Sequence, residues 1–198
     1  MADPFLAEIT QADQALGRVV RAMASAKIDQ RVLLIVSADH GEAFGEHGTF
    51  EHTKTLYEEL IRVPLLVAGP HVVARRIAEP VSLVDLGPTI LDVFGVETPG
   101  SFMGQSLVPA LAGEPVRLTR PIFAEGRLRR ALVAGDIKVI TDERRKVVEA
   151  FDLRADPGEL ENLFDRDPSR ALPVLAALHR FFEAHLCRRP GYEPVYKP

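Results

Sequence analysis

Val32-Leu33-Leu34-Ile35-Val36-Ser37-Ala38-Asp39-His40-Gly41-Glu42 decides how this chain is read. Five large apolar residues bounded by polar ones have the pattern of a strand buried on both faces, the kind that fills parallel sheets. Asp39 and His40 then leave together at the carboxyl end of that strand, where open α/β sheets place their ligands. A carboxylate and a neutral imidazole side by side can both reach one divalent cation, the first giving charge and the second a nitrogen donor. The same residues also suit an ordinary turn, with Asp bonding its own backbone and Gly supplying a positive φ. The surrounding chain has to separate the two readings.

Upstream, Asp3-Pro4 has the form of a helix start. Phe5, Ile9, Ala12, Leu16, Val19, Val20 and Met23 then recur at intervals of three and four, so an amphipathic helix is expected to bury this stripe against elements that include the strand at Val32. Downstream, Thr55-Leu56-Tyr57-Glu58 has capping-box spacing and predicts a short helix that ends before Val63, because the residue preceding Pro64 is pushed out of the α region. Pro64 to Ala68 reads as a second buried strand. Ser82 to Asp85 opens another helical region that Gly95 closes, with Asp85 and Asp92 as cap and surface residues. The start of that second strand is taken as the end away from Asp39 and His40, so Arg62 beside it is read as structural.

Composition shifts near 111–115, which places a boundary between 1–113 and 114–198. Beyond it, short β-like runs at 121–124, 130–134, 137–141 and 147–151 are spaced as antiparallel hairpins. Residues 152–163 form a turn-rich loop whose acids fasten it. A last helix over 169–186, with Leu172, Leu175, Leu178 and Phe182 on one face, should cover the hairpins.

The chain has 198 residues, of which 46% are hydrophobic, enough for one good core with a small appendage. A formal charge of -4 offers no basic surface for nucleic acid. One cysteine, Cys187, excludes an internal disulfide framework. No run approaches the roughly twenty apolar residues of a membrane span, and the first residues lack the pattern of a signal peptide. A cytoplasmic location is the default expectation for the chain, while the parent protein can still be an exported one. Oligomeric state is left open.

The residues after Asp39-His40 carry a resemblance. Gly45-Glu46-His47-Gly48-Thr49-Phe50-Glu51-His52, Leu56-Tyr57-Glu58-Glu59-Leu60-Ile61-Arg62-Val63-Pro64, Val84-Asp85-Leu86 with Pro88-Thr89, Gly104-Gln105-Ser106-Leu107, and Asp152-Leu153 with Asp156-Pro157, Glu159 and Asn162-Leu163 follow one another in this order. Together they resemble the sulfatases of the alkaline-phosphatase-like superfamily. The resemblance implies an α/β chain, a partial alkaline-phosphatase-like sandwich with buried parallel strands, joined to a small antiparallel β subdomain packed by the C-terminal helix. On that reading 1–113 is the C-terminal part of the catalytic core and 114–198 the C-terminal subdomain.

It also implies that Asp39 and His40 are two ligands of the active-site metal, calcium first, with manganese, magnesium or zinc as alternatives. Twelve positions beyond the His, the family usually has a Lys that contacts sulfate and the leaving oxygen. Here that place holds His52. A histidine titrates near neutrality and can give a proton to a departing alkoxide, which a lysine does not do readily. Lys54 and His47 are possible anion contacts, although His47 between two glycines also suits a loop-holding role. Glu42 and Glu46 are candidates to orient the imidazole.

The family's nucleophile, a formylglycine made from a C/S-x-P-x-R motif, has no counterpart here, since Cys187 is followed by Arg188-Arg189-Pro190. The nucleophile and the remaining metal ligands are therefore expected from an N-terminal half outside this chain, and the isolated chain is expected to be inactive. Three readings stand. The first is a sulfatase acting on a sulfate ester, a small molecule or a glycan. The second is a phosphonate or phosphate ester hydrolase or a phosphoethanolamine transferase of the same superfamily. The third is a non-catalytic truncated product.

Overall fold

The computed structural model describes residues 2–52, 55–117 and 119–185, with side chains from Phe5 onward. Lys54 and Cys187 lie outside the described residues. The chain divides into two compact units, the first made of Met1–Glu51 and Val63–Arg117, the second of His52–Arg62 and Leu118–Pro198. The compositional boundary at 113/114 falls beside the later crossing. The earlier excursion, His52–Arg62, had no signal in the sequence. Among the described residues no helix is long and apolar enough to cross a membrane.

In the first unit, helix α1 (Ala2–Ser25) leads through a 3-10 turn to strand β1 (Leu34–Ser37). The apolar stripe of α1 is not buried as expected, since Ile9, Val19 and Val20 stay about half exposed; Phe5 instead packs tilted against Phe44 with ring centroids 4.4 Å apart. Strands β2 (Ala43–Phe44) and β3 (Phe50–Glu51) form a small hairpin, and strand β4 (Leu65–Ala68) pairs with β1.

That pairing corrects the expectation of parallel strands. It is antiparallel, with Leu34 opposite Ala68 and Ser37 opposite Leu65. A short apolar run specifies burial but not direction. Even the burial is partial, because β1 is half-buried and Leu66 on β4 is 59% exposed. The reversal also moves the start of β4 to the Asp39 end of β1, where the Ser37 hydroxyl donates to the Pro64 carbonyl at 2.8 Å. The argument that set Arg62 at the far end therefore fails.

The rest of this unit is held by α3 (Leu86–Val93) and the short α4 (Val108–Leu111). Ser82 and Asp85 form a reciprocal capping box on the 3-10 turn that opens α3. Gly95, at φ 65°, ends the helix in the left-handed region. Asp85 is fully buried and accepts the N–H groups of Ser82 and Gln105, both at 2.9 Å. The Thr89 hydroxyl accepts the N–H of Leu107 at 2.9 Å, and Ser106 donates to Asp92. Two motifs far apart in sequence, 84–89 and 104–107, are thus one polar lock.

The second unit is a four-stranded antiparallel meander in the order β5 (Ile122–Glu125), β6 (Arg129–Ala134), β7 (Ile137–Asp142) and β8 (Val147–Asp152), close to the expected runs. Helix α5 (Pro168–Ala184) covers one face, where Leu132, Ile137, Val139 and Ala150 pack with Ala171, Val174, Leu178 and Phe182. The buried stripe differs from the expected one: Leu172 is 52% exposed, because 171, 174, 178 and 182 set the inward line and 172 falls a quarter turn away. The opposite face holds Ala131, Ile140 and Phe151 under Leu56. Leu56 precedes α2 (Glu58–Ile61), and with Tyr57 and Ile61 it supplies the second cover of this sheet.

Candidate metal and anion site

Asp39 and His40 stand two and three residues beyond the end of β1, both open to solvent. Asp39 Oδ1 accepts the N–H of His40 at 3.1 Å, the backbone bond of the turn reading, but Gly41 is not among the glycines at positive φ that the turn also called for. Its other oxygen, Oδ2, lies 3.9 Å from His40 Nε2. The imidazole is anchored on its opposite side, with Nδ1 2.8 Å from the Gly41 carbonyl. As a carbonyl only accepts, Nδ1 carries the proton and the neutral ring presents Nε2 as a lone-pair donor on the Asp39 side. The Gly41 carbonyl, and then the Asp39 carboxylate, raise the imidazole pKa.

The Asp39 backbone bond and a cation pair are thus compatible in one geometry. A carboxylate oxygen and an imidazole nitrogen at this separation fit two positions of a divalent cation's shell, and a carbonyl-anchored second nitrogen is the usual support for a metal-bound histidine. Calcium prefers six to eight oxygen ligands. Among the described residues no group of three or more His, Cys, Asp or Glu side chains forms a complete site. The pair fits as part of a coordination shell.

The downstream candidates take different places. His47 occupies the tight turn of the β2–β3 hairpin at φ 51°, between Gly45 at 122° and Gly48 at 67°. The Glu46 carboxylate accepts the Phe44 N–H at 2.6 Å, which holds its pKa low and makes it a fastener of the hairpin. His52 follows β3 by one residue, is exposed, and belongs to the second unit. Asp39, His40 and His47 belong to the first. Asp39 and His40 stand together as a pair.

Sequence reasoning missed an ionic cluster in the second unit. Lys138, completely buried on β7, reaches Glu159 at 2.8 Å and Glu58 at 2.9 Å. Glu159 Oε2 also accepts the Glu58 N–H at 2.6 Å, so the helix that Thr55 was expected to cap is capped from 101 positions away. The Tyr57 hydroxyl donates to Glu149 at 2.9 Å, and burial beside that carboxylate pushes its pKa up. The acids of 152–163 fasten as expected. Asp152 Oδ1 accepts the N–H groups of Arg154 and Ala155, and Asp156 accepts that of Glu161.

A sulfatase family model matches residues 1–96. Arylsulfatase K of Xenopus laevis is 30% identical over 183 residues, covering 84% of this chain and 34% of its own length. BT4656, solved in complex with its substrate D-glucosamine-2-N,6-O-disulfate, aligns with a TM-score of 0.76 at 24% identity over 94% of this chain and 41% of that one. The phosphonate monoester hydrolase SpPMH of Silicibacter pomeroyi aligns with a TM-score of 0.73 at 24% identity, over 92% of this chain and 40% of that one. The two structures share the fold with this chain, which spans about a third of the length of the curated relatives it matches. The order of motifs, the paired Asp39 and His40 behind β1 and these similarities agree: the chain belongs to the sulfatase family.

Proposed function

We propose that this chain is the C-terminal part of a metal-dependent sulfatase that hydrolyses sulfate esters, with the nucleophile and further metal ligands supplied by polypeptide outside it. The observation that carries the reading is the Asp39–His40 pair, with carboxylate Oδ2 and imidazole Nε2 3.9 Å apart just beyond a strand end. Asp39 supplies negative charge and His40 Nε2 a lone pair to a divalent cation, calcium first. When bound, such a cation supplies positive charge against the developing charge of the sulfate oxygens.

His52 holds a sulfate oxygen and gives a proton to the departing alkoxide. General-acid help of this kind contributes about a hundredfold to ten-thousandfold in rate. Lys54 and His47 are secondary candidates for contact with the anion. Sulfated sugars are within the substrate class, since BT4656, which shares this fold, was solved with its substrate D-glucosamine-2-N,6-O-disulfate.

The test is turnover of an aryl sulfate by the protein completed with the family's nucleophile-bearing part. Asp39→Ala is expected to abolish turnover, and His52→Ala to lower it by about 10²- to 10⁴-fold. Unchanged turnover in Asp39→Ala would end the reading. If His52→Lys keeps both the rate and the pH profile, histidine has no acid role.

Phosphonate or phosphate ester hydrolysis is the second reading. It is favoured by His52 in the lysine position and by the fold shared with a phosphonate monoester hydrolase. A phenylphosphonate ester turned over faster than an aryl sulfate would select it.

A further inference from the structure

Lys138 carries no solvent exposure, yet it is charged and sits on a strand whose neighbours are apolar. Ile137 and Val139 face α5, so Lys138 and Ile140 point to the other face, the one covered by 56–61. There the ammonium is held between two carboxylates, Glu58 Oε1 at 2.9 Å and Glu159 Oε1 at 2.8 Å. Glu159 Oε2 closes the ring by accepting the N–H of Glu58 at 2.6 Å. Glu58 is thus tied by both its side chain and its backbone.

A buried ion pair of this sort adds little net stability, because desolvation cancels most of the Coulomb gain. What it adds is direction. Leu56 in its apolar cluster could slide by a residue at small cost, but the ring of three bonds admits one register. The Tyr57 hydroxyl on Glu149 of β8 is a second directional tether. His52 lies four residues before Leu56, within about 14 Å along even a fully extended chain.

We infer that Lys138, with Glu159, is a positioning residue for His52: the ring it forms with Glu58 fixes residues 56–61, four positions beyond His52, to the four-stranded sheet. The role of the C-terminal subdomain is then to set the register of the candidate acid. This inference rests on the reading of His52 as a sulfate-contacting group.

The test uses the whole 198-residue chain, isotope-labelled, with Lys138→Met and the milder Glu58→Gln in case the first fails to fold. Two quantities are read: amide exchange across Glu58–Ile61 against that of β6 and β7, and the shift of the His52 ring signals on titration with inorganic sulfate. Lys138→Met is expected to speed exchange in the segment at least tenfold while the strand amides keep their protection, and to weaken the His52 response to sulfate. Glu58→Gln is expected to act in the same sense, less strongly.

Equal loss of protection in segment and strands would make Lys138 a plain core residue and overturn the inference. So would unchanged segment protection, or a clear His52 response to sulfate in the parent that Lys138→Met leaves unaltered. If sulfate leaves His52 unmoved in the parent while the segment still loosens in Lys138→Met, the positioning stands and the assignment of His52 to the sulfate falls.

Discussion

Replacing Asp85 by Asn tests whether the lock between 84–89 and 104–107 holds the first unit together. The side chain is fully buried and its two oxygens take separate backbone donors, Oδ2 the N–H of Ser82 and Oδ1 that of Gln105, each at 2.9 Å. Asn keeps the shape but has one acceptor oxygen. One N–H therefore keeps a partner at neutral strength, and the other faces an NH₂ group. Hydrogen bonds to a charged group contribute about 1.5–3 kcal/mol each, and a buried donor left unsatisfied costs about 1–3 kcal/mol. Together these give a loss of about 2–4 kcal/mol, large against the 5–15 kcal/mol typical of a folded domain.

As the chain forms two units, a single global transition is a poor measure, and local amide exchange is better. Exchange at Gln105 and Leu107 should speed up by about 30- to 1000-fold, the factor that corresponds to this energy, while the β6 and β7 amides stay as they were. A change of less than threefold at Gln105 would show that Asp85 does not hold the loop, and would refute the reasoning.

Further expectations follow from the same contacts. A Cβ added at Gly104 would run into the Val84 carbonyl and the Asp85 backbone, so Gly104→Ala should lose the protection of 104–107 as severely as Asp85→Asn does; normal exchange there would contradict the close approach. Asp152 has its pKa held low by the Ala155 N–H and the Arg170 guanidinium at 2.6 Å. Its folded value lies below its unfolded one, so its contribution is present above the ordinary aspartate range and is lost as pH falls through the folded value. Asp152→Asn should therefore flatten the acid side of the stability profile followed by circular dichroism, and an unchanged profile would count against the pairing.

Much of the second unit was legible from local pattern. The strands of the meander are short β-like runs closely spaced and punctuated by turns, and antiparallel neighbours need nothing from distant sequence. Strand direction in the first unit was not legible, because Val32 to Val36 reads the same whether the neighbour runs up or down. The stripe on α5 was misplaced by the appeal of large residues: Leu172 looked inward, but the smaller Ala171 sits against the sheet. The capping box at Thr55 was a sound local signal overruled by a carboxylate 101 positions away, Glu159. Lys138 gave no sign, since a lysine in a strand ordinarily reads as exposed. At the site, adjacency in sequence was enough to find Asp39 and His40, whereas the attachment of His52 to the second unit depends on contacts made across the chain.

The central claim is that Asp39 and His40 jointly grip a divalent cation and supply only part of its shell. The most direct measurement is titration of the labelled chain with manganese, whose unpaired electrons broaden nearby signals. The account predicts millimolar affinity, with broadening centred on residues 38–41 and lost in both Asp39→Ala and His40→Ala. Micromolar or tighter binding by this chain alone, or broadening centred elsewhere and indifferent to both substitutions, would contradict it.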